Sequence, residues 1–166
     1  MKRETEKILL GKILDLTSLK SLVKAWQAEG KKVVFTNGVF DLLHIGHLTY
    51  MAKAAELGDK LVIGLNADSS VKRIKGDDRP VNDQNNRAAL LAALFFVDAV
   101  TIFEEDTPFN LISGLMPDIL VKGADYSVEN IVGAKDVLAN GGEVKTIDFV
   151  DGYSSTSIIN KIRSRT

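Results

Sequence analysis

The sequence predicts an α/β fold, an open five-stranded parallel sheet with helices on both faces. Three observations carry that expectation. Short runs containing Val, Ile, Leu or Phe recur at 33–35, 60–66, 98–103, 119–121 and 143–147, the first as a strand covered on both faces and the second as another buried strand. Stretches with helical spacing of apolar residues lie between them, and strand, helix and strand in that spacing make right-handed βαβ units. The chain has 166 residues, enough for one domain that buries such a sheet.

Taken in order, the N-terminal Ile8-Leu9-Leu10 patch is too brief for a signal-peptide core or a membrane span. Thr17 or Ser18 can cap a helix whose apolar face is Leu19, Leu22, Val23 and Trp26, with Gly30 as its stop. Residues 1–30 thus form a helical extension packed on the domain of residues 31–166. Val33-Val34-Phe35 reads as a central strand ending at Asn37-Gly38, and Ile45, Leu48, Ala52 and Ala55 mark one face of the helix that follows. Gly58-Asp59 turns into the strand 60–66. Residues 67–84 read as a polar connection holding Lys72, Arg73, Lys75 and Arg79, the densest basic cluster in the chain. A helix over 86–94, with Arg87 near enough its start to reach a phosphate, leads to the strand 98–103. Thr107-Pro108 reads as an N-cap followed by proline at the first helical position. The strand 119–121 ends in Lys122-Gly123-Ala124-Asp125-Tyr126, a lysine, glycine, acid and aromatic at a strand end, which suits a binding loop. A helix over 128–139 stops at Gly141-Gly142. After the strand 143–147, Ser154-Ser155-Thr156-Ser157 opens a last helix with Ile158, Ile159 and Ile162 inward.

Composition narrows the function classes. Charged residues are 26% and the net charge is −1, so no global basic field recruits nucleic acid or an anionic membrane. The absence of cysteine excludes disulfides and thiolate metal sites and fits a reducing cytoplasm. The expected protein is soluble and cytoplasmic. No G-x-G-x-x-G follows the first strand and no G-x-x-x-x-G-K-[ST] occurs, so neither a dinucleotide fingerprint nor a P-loop is signalled.

The chemistry concentrates where the first strand hands over to a helix. The first turn of a helix leaves backbone N–H groups unpaired and carries the positive end of the dipole, so it attracts phosphate. Gly46, lacking a side chain, lets a polyphosphate approach, and His44 and His47 on either side can donate to its oxygens. The basic cluster lies near the C-terminal edge of the sheet, where open α/β folds bind ligands.

Gly38-Val39-Phe40-Asp41-Leu42-Leu43-His44-Ile45-Gly46-His47 resembles the G-x-F-D-x-x-H-x-G-H signature of the nucleotidyltransferases related to cytidylyltransferases, HIGH motif included. Ser154-Ser155-Thr156 is similar to the S-[ST]-T-x-[IL] motif that closes the same superfamily's Rossmann-like domain. The resemblance implies transfer of a nucleoside monophosphate from an NTP, with Mg²⁺, to a phosphate-bearing acceptor. It assigns His44, His47, Lys72 and Lys75 to catalysis. It assigns Thr36, Asn37, Gly38, Val39, Phe40, Asp41, Gly46, Arg87, Lys122, Gly123, Asp125, Ser154, Ser155 and Thr156 to the nucleotide, and Asp41, Asn66, Asp125 and Tyr126 to the acceptor. No side-chain metal ligand is implied, and a homodimer is the expected assembly.

Over residues of about 30–163 the chain resembles the branch that adenylylates D-glycero-β-D-manno-heptose 1-phosphate, through Phe35-Thr36-Asn37-Gly38, residues 64–73, Arg79-Pro80-Val81-Asn82 and Val121-Lys122-Gly123-Ala124-Asp125-Tyr126. The expected substrates are ATP and that sugar 1-phosphate. Members of the branch often carry a sugar-kinase domain, for which this length leaves no room, so a stand-alone transferase is expected. Glycerol 3-phosphate cytidylyltransferases have R-Y-V-D where this chain has Phe95-Phe96-Val97-Asp98, and R-T-x-G-I-S where it has Phe149-Val150-Asp151-Gly152-Tyr153-Ser154. Both arginines are missing, which counts against that branch. A cytidylyltransferase for glycerol 3-phosphate or a phospho-amino-alcohol, and a non-catalytic nucleotide-binding module, are the alternatives.

Overall fold

The computed structural model describes residues 4–165. Its sheet has five parallel strands, β1 (Val33–Gly38), β2 (Lys60–Asn66), β3 (Ala99–Phe103), β4 (Ile119–Gly123) and β5 (Glu143–Ile147), in the order β3-β2-β1-β4-β5. The chain builds outward from β1 to β3, returns, and builds β4 and β5 on the other side. The strand order therefore reverses between β1 and β4, the switch point where such sheets open a crevice beyond the strand ends.

Strand alternation divides the core into two layers. Val34, Leu61, Ile63 and Val121 face α3 (Ile45–Ala55) and α5 (Gln84–Ala92), which bring Tyr50, Met51, Ala54, Ala88 and Leu91. Val33, Phe35, Val62 and Leu120 face α2 (Leu16–Ala28), α6 (Phe109–Leu115) and α7 (Ala134–Ala139), which bring Leu19, Val23, Leu111, Ile112 and Val137. The N-terminal segment joins this core directly. Beyond α1 (Thr5–Leu10), Ile13 bridges Val100 on the β3 edge, and the α2 side chains Leu19 and Val23 are fully buried.

Several expectations need correction. Helix α2 starts two or three residues earlier than expected because Asp15 caps it, its carboxylate accepting from the Ser18 N–H at 2.8 Å. The buried face of α3 is Gly46, Tyr50, Met51 and Ala54, and Ile45 is exposed. The polar connection contains a helix, α4 (Asp68–Lys75), whose short apolar content hid its period. Pro108 itself is the N-cap of α6. The helix expected over 128–139 is a 3-10 turn, Val128–Asn130, that gives way to extended backbone at Ile131, and then α7, which begins after Gly133 with its left-handed φ of 81°. In α8 (Ser155–Arg163), Ile162 faces solvent while Ile158 and Ile159 are half-buried.

Candidate active site

The β1–α3 junction is held by side chains that serve the backbone. Phe40 takes a left-handed φ of 46°, a conformation that costs a non-glycine residue about 1 kcal/mol or more. That turn lays its ring over Gly38, where a Cβ would meet ring carbons at 3.0 Å, and sets it edge-on to His47 at 5.2 Å between centroids. His44 caps α3 through Nδ1, which accepts weakly from the His47 N–H at 3.4 Å, and its ring stacks on His47 at 3.8 Å. A Cβ on Gly46 would meet that His44 ring at 3.0 Å and Tyr153 Cβ at 3.4 Å. The glycine thus makes room for the capping histidine as well as for a ligand.

Asp41 organises the neighbouring loop. Its carboxylate accepts from Arg79 Nε at 2.8 Å, from the Val81 N–H at 2.8 Å and from the Asn82 N–H at 3.0 Å. Burial alone would raise its pKa, but the Asn82 and Val81 N–H groups and the Arg79 guanidinium outweigh that and hold the carboxyl below its ordinary value. Arg87, fully buried, donates to the carbonyls of Asn82, Val39 and Asn66 and to the Asp68 carboxylate.

A cavity of about 550 Å³ opens above the switch point. Asn37, Gly38, Val39, Phe40, Asp41 and His47 form its floor, continuing β1 into α3. The end of β2 and the segment after it bring Asn66, Ile74, Lys75 and Arg79, and the segment after β3 brings Asp106, Thr107 and Pro108. On the β4–β5 side stand Lys122, Gly123, Asp125, Tyr126, Phe149 and Ser155. Phe149 packs so closely that a Cβ on Gly123 would lie 2.1 Å from its ring, and it stacks on Tyr50 at 5.4 Å. Ser155 Oγ donates to the Leu42 carbonyl at 3.0 Å, tying the N-terminus of α8 to the histidine loop. Arg73 on α4 donates to the Asp106 carboxylate and the Glu104 carbonyl, linking α4 to the segment after β3.

The cavity is built to receive a polar ligand. Among the described residues, four buried side-chain N or O atoms lack a partner, and three of them, Asn37 Oδ1, His47 Nδ1 and Arg79 Nη2, belong to residues lining it. Its cations are short of counter-charge as well. Burial pulls Lys122 down to about 8, against the pull of Asp125 in the other direction. Burial, then the charge of His44, lowers His47 to about 4, with Lys75 adding to the depression and the Leu42 carbonyl opposing it. Burial also lowers His44. Both imidazoles are therefore neutral at pH 7 in the free protein. NMR titration should show the His47 ring protons midway near pH 4, and a bound non-hydrolysable ATP analogue should move that midpoint upward by adding negative charge. The same depression costs stability in acid. Unfolded His47 takes its proton near its ordinary value of 6.5 and the folded ring only near 4, so this contribution, complete above pH 6.5, is lost as pH falls toward 4.

Most residues assigned from sequence meet at this cavity, and some do not. Lys72 is exposed on α4 and lies outside the lining, which includes Lys75. Arg87 is fully buried outside the lining and directs four hydrogen bonds to backbone carbonyls and the Asp68 carboxylate. Thr36 lies beneath the floor, its hydroxyl paired with Tyr50 Oη at 2.8 Å. Ser154 is occupied in a capping box with Ser157, and Thr156 is exposed outside the lining. His44 and Gly46 stand behind His47. Sequence reasoning missed Tyr50, Phe149 and Arg79 as walls. Arg79 alone carried a signal, its place in the basic cluster.

An open parallel sheet whose switch point holds a histidine-bearing helix start, a second helix N-terminus and two lysines is arranged to hold a polyphosphate. A family profile described as cytidylyltransferase-like matches residues 35–161, and the chain belongs to that family. It is 58% identical over 148 residues to the bifunctional protein HldE of Campylobacter fetus subsp. fetus, a match covering 89% of this chain and 31% of that protein. To the bifunctional protein HldE of Cronobacter sakazakii it is 54% identical over 151 residues, 91% of this chain and 32% of that one. The chain thus spans about a third of the length of these curated relatives. Among solved structures it is similar to the lipopolysaccharide core biosynthesis protein from Thermoplasma volcanium GSS1, with a TM-score of 0.59 and 31% identity over 75% of this chain and 100% of that one. It is also similar to pantoate-beta-alanine ligase from Francisella tularensis, with a TM-score of 0.58 and 14% identity over 92% and 77% of the two chains, a likeness that shows the fold alone. No helix among the described residues is long and apolar enough to cross a membrane.

Proposed function

We propose that this site transfers AMP from ATP to D-glycero-β-D-manno-heptose 1-phosphate, giving ADP-heptose and pyrophosphate. The observation that carries the reading is the convergence of the α3 and α8 N-termini with His47, Lys75 and Lys122 on one cavity. Polyphosphate needs that arrangement of donors and charge. An acceptor phosphate oxygen attacks the α-phosphorus in line, a P–O bond forms, the bond to the bridging oxygen breaks, and pyrophosphate carries away the electron pair. The acceptor phosphate is already ionised at neutral pH, so no general base is required, and positioning and charge supply the catalysis.

His47 donates to the α-phosphate as charge develops. Lys75, whose charge reaches His47, neutralises the same region, and Lys122 gains its full charge when the phosphates enter. His44 holds His47 in place by stacking. Mg²⁺ entering with the nucleotide would supply neutralisation of phosphate charge; among the described residues no group of three His, Asp or Glu side chains would compete for it. Support for the heptose acceptor is the sequence resemblance at residues 64–73, 79–82 and 121–126, together with the likeness to HldE.

Lys75→Ala should lower kcat/KM for ATP roughly tenfold or more, whereas Lys72→Ala should leave it within about twofold. Equal effects would return Lys72 to the site. The substrate reading is tested by pyrophosphate release with each of ATP, CTP, GTP and UTP against heptose 1-phosphate and glycerol 3-phosphate. Turnover restricted to ATP with the heptose is the expected result, and turnover with CTP and glycerol 3-phosphate would overturn the substrate while keeping the chemistry.

A further inference from the structure

We propose that Arg79 is the residue that binds the phosphate of the acceptor. The inference rests on the nucleotidyl-transfer reading and adds the one anion subsite that reading leaves without a cation. Arg79 lines the cavity yet is only 8% exposed. Its Nε is spent on Asp41 at 2.8 Å, while Nη2 is buried with no acceptor. A guanidinium left half-paired at a cavity wall wants an oxyanion, since an unmade hydrogen bond from a buried charge is costly.

The surroundings fix the guanidinium and leave it no other partner. Asp41 is anchored by the Val81 and Asn82 N–H groups, and Asn82 is anchored in turn by its side chain to the Asp41 carbonyl at 3.0 Å and by Arg87. The fork is thus presented on a braced loop, which suits recognition of a phosphate in one orientation.

The α8 N-terminus with Ser155 comes to the cavity after β5, and Lys122 from the end of β4, so a triphosphate finds helix N–H groups and a lysine there. Arg79 comes from the α4–α5 connection, next to Asp78, which pairs with Arg163 of α8 at 3.0 Å. In-line displacement brings a second phosphate to the α-phosphorus opposite the leaving pyrophosphate. With the triphosphate on α8 and Lys122, Arg79 Nη2 is the unpartnered donor available to the attacking phosphate.

The test is kinetic. Arg79→Lys keeps a cation for Asp41 but loses the fork, and Arg79→Gln loses the charge. Both should raise KM for heptose 1-phosphate roughly tenfold to a hundredfold while KM for ATP stays within about twofold. A merely structural role would lower stability without separating the two KM values. An unchanged acceptor KM, or a rise confined to ATP, overturns the assignment. A second measurement needs neither turnover nor a variant: the Arg79 guanidinium NMR resonances of the wild-type protein should shift with heptose 1-phosphate or inorganic phosphate. A shift caused only by a non-hydrolysable ATP analogue overturns the assignment. Failure of wild-type turnover alongside a phosphate-induced Arg79 shift would count against the transfer reading and leave the anion subsite standing.

Discussion

His47→Ala is expected to lower kcat by about a hundredfold or more while the protein stays folded. The ring lines the cavity with an unpartnered Nδ1, and its contacts are a stack with His44 at 3.8 Å and an edge contact with Phe40 at 5.2 Å. His47 is half-buried at the end of the apolar layer, so truncation removes a donor to the transition state and a limited set of ring contacts. A donor that acts as charge develops lowers kcat when lost and leaves KM for ATP nearly unchanged. His44→Ala should differ. It loses the cap of α3, costing roughly 0.5–2 kcal/mol, and should slow turnover less, because His44 acts through the ring it stacks on. Steady-state kinetics with urea denaturation of each variant separates the two roles, and a folded His47→Ala protein with near-normal turnover would remove His47 from catalysis.

Arg87→Met is expected to cost about 3–5 kcal/mol of stability. The substitution strands the carbonyls of Asn82, Val39 and Asn66 and the Asp68 carboxylate, all of which Arg87 now serves from a fully buried position. Those carbonyls belong to the cavity floor, the end of β2 and the loop that fixes Asp41, so the site should loosen with the fold. Urea unfolding measures it: the midpoint should fall sharply with the slope retained. A loss below about 1 kcal/mol accompanied by a raised KM for ATP would instead make Arg87 a phosphate ligand.

How far the sequence foretold this arrangement depends on what each residue does. Strands β1 to β4 were legible because their buried positions are largely apolar, whereas the edge strand β5, with Glu143, Lys145 and Thr146 exposed, rests on its β-branched Val144, Thr146 and Ile147. The histidine loop was legible because its residue types sit at a strand-to-helix turn, where helix N–H groups attract phosphate. Helix α4 was not, since Asp68, Ser69, Ser70, Lys72, Arg73 and Lys75 leave only Val71 and Ile74 to show a period. The split between Lys72 and Lys75 is a matter of helical rotation, which a loop reading does not contain. Arg87 looked like a phosphate ligand because its charge and position are visible in the sequence, whereas the carbonyls that consume its donors come from residues up to 48 positions away. Phe149 and Tyr50 were hidden for a similar reason: their stacking depends on how the β5–α8 connection crosses α3.

The central claim is that the cavity moves a nucleotidyl group between two phosphates. ³¹P NMR of one sample containing the protein, Mg²⁺, ATP and heptose 1-phosphate tests it most directly. Pyrophosphate and a new diphosphate ester should grow at equal rates as ATP and the sugar phosphate signal decline. Intact ATP in the presence of bound nucleotide and acceptor, or the appearance of ADP with orthophosphate, would contradict it.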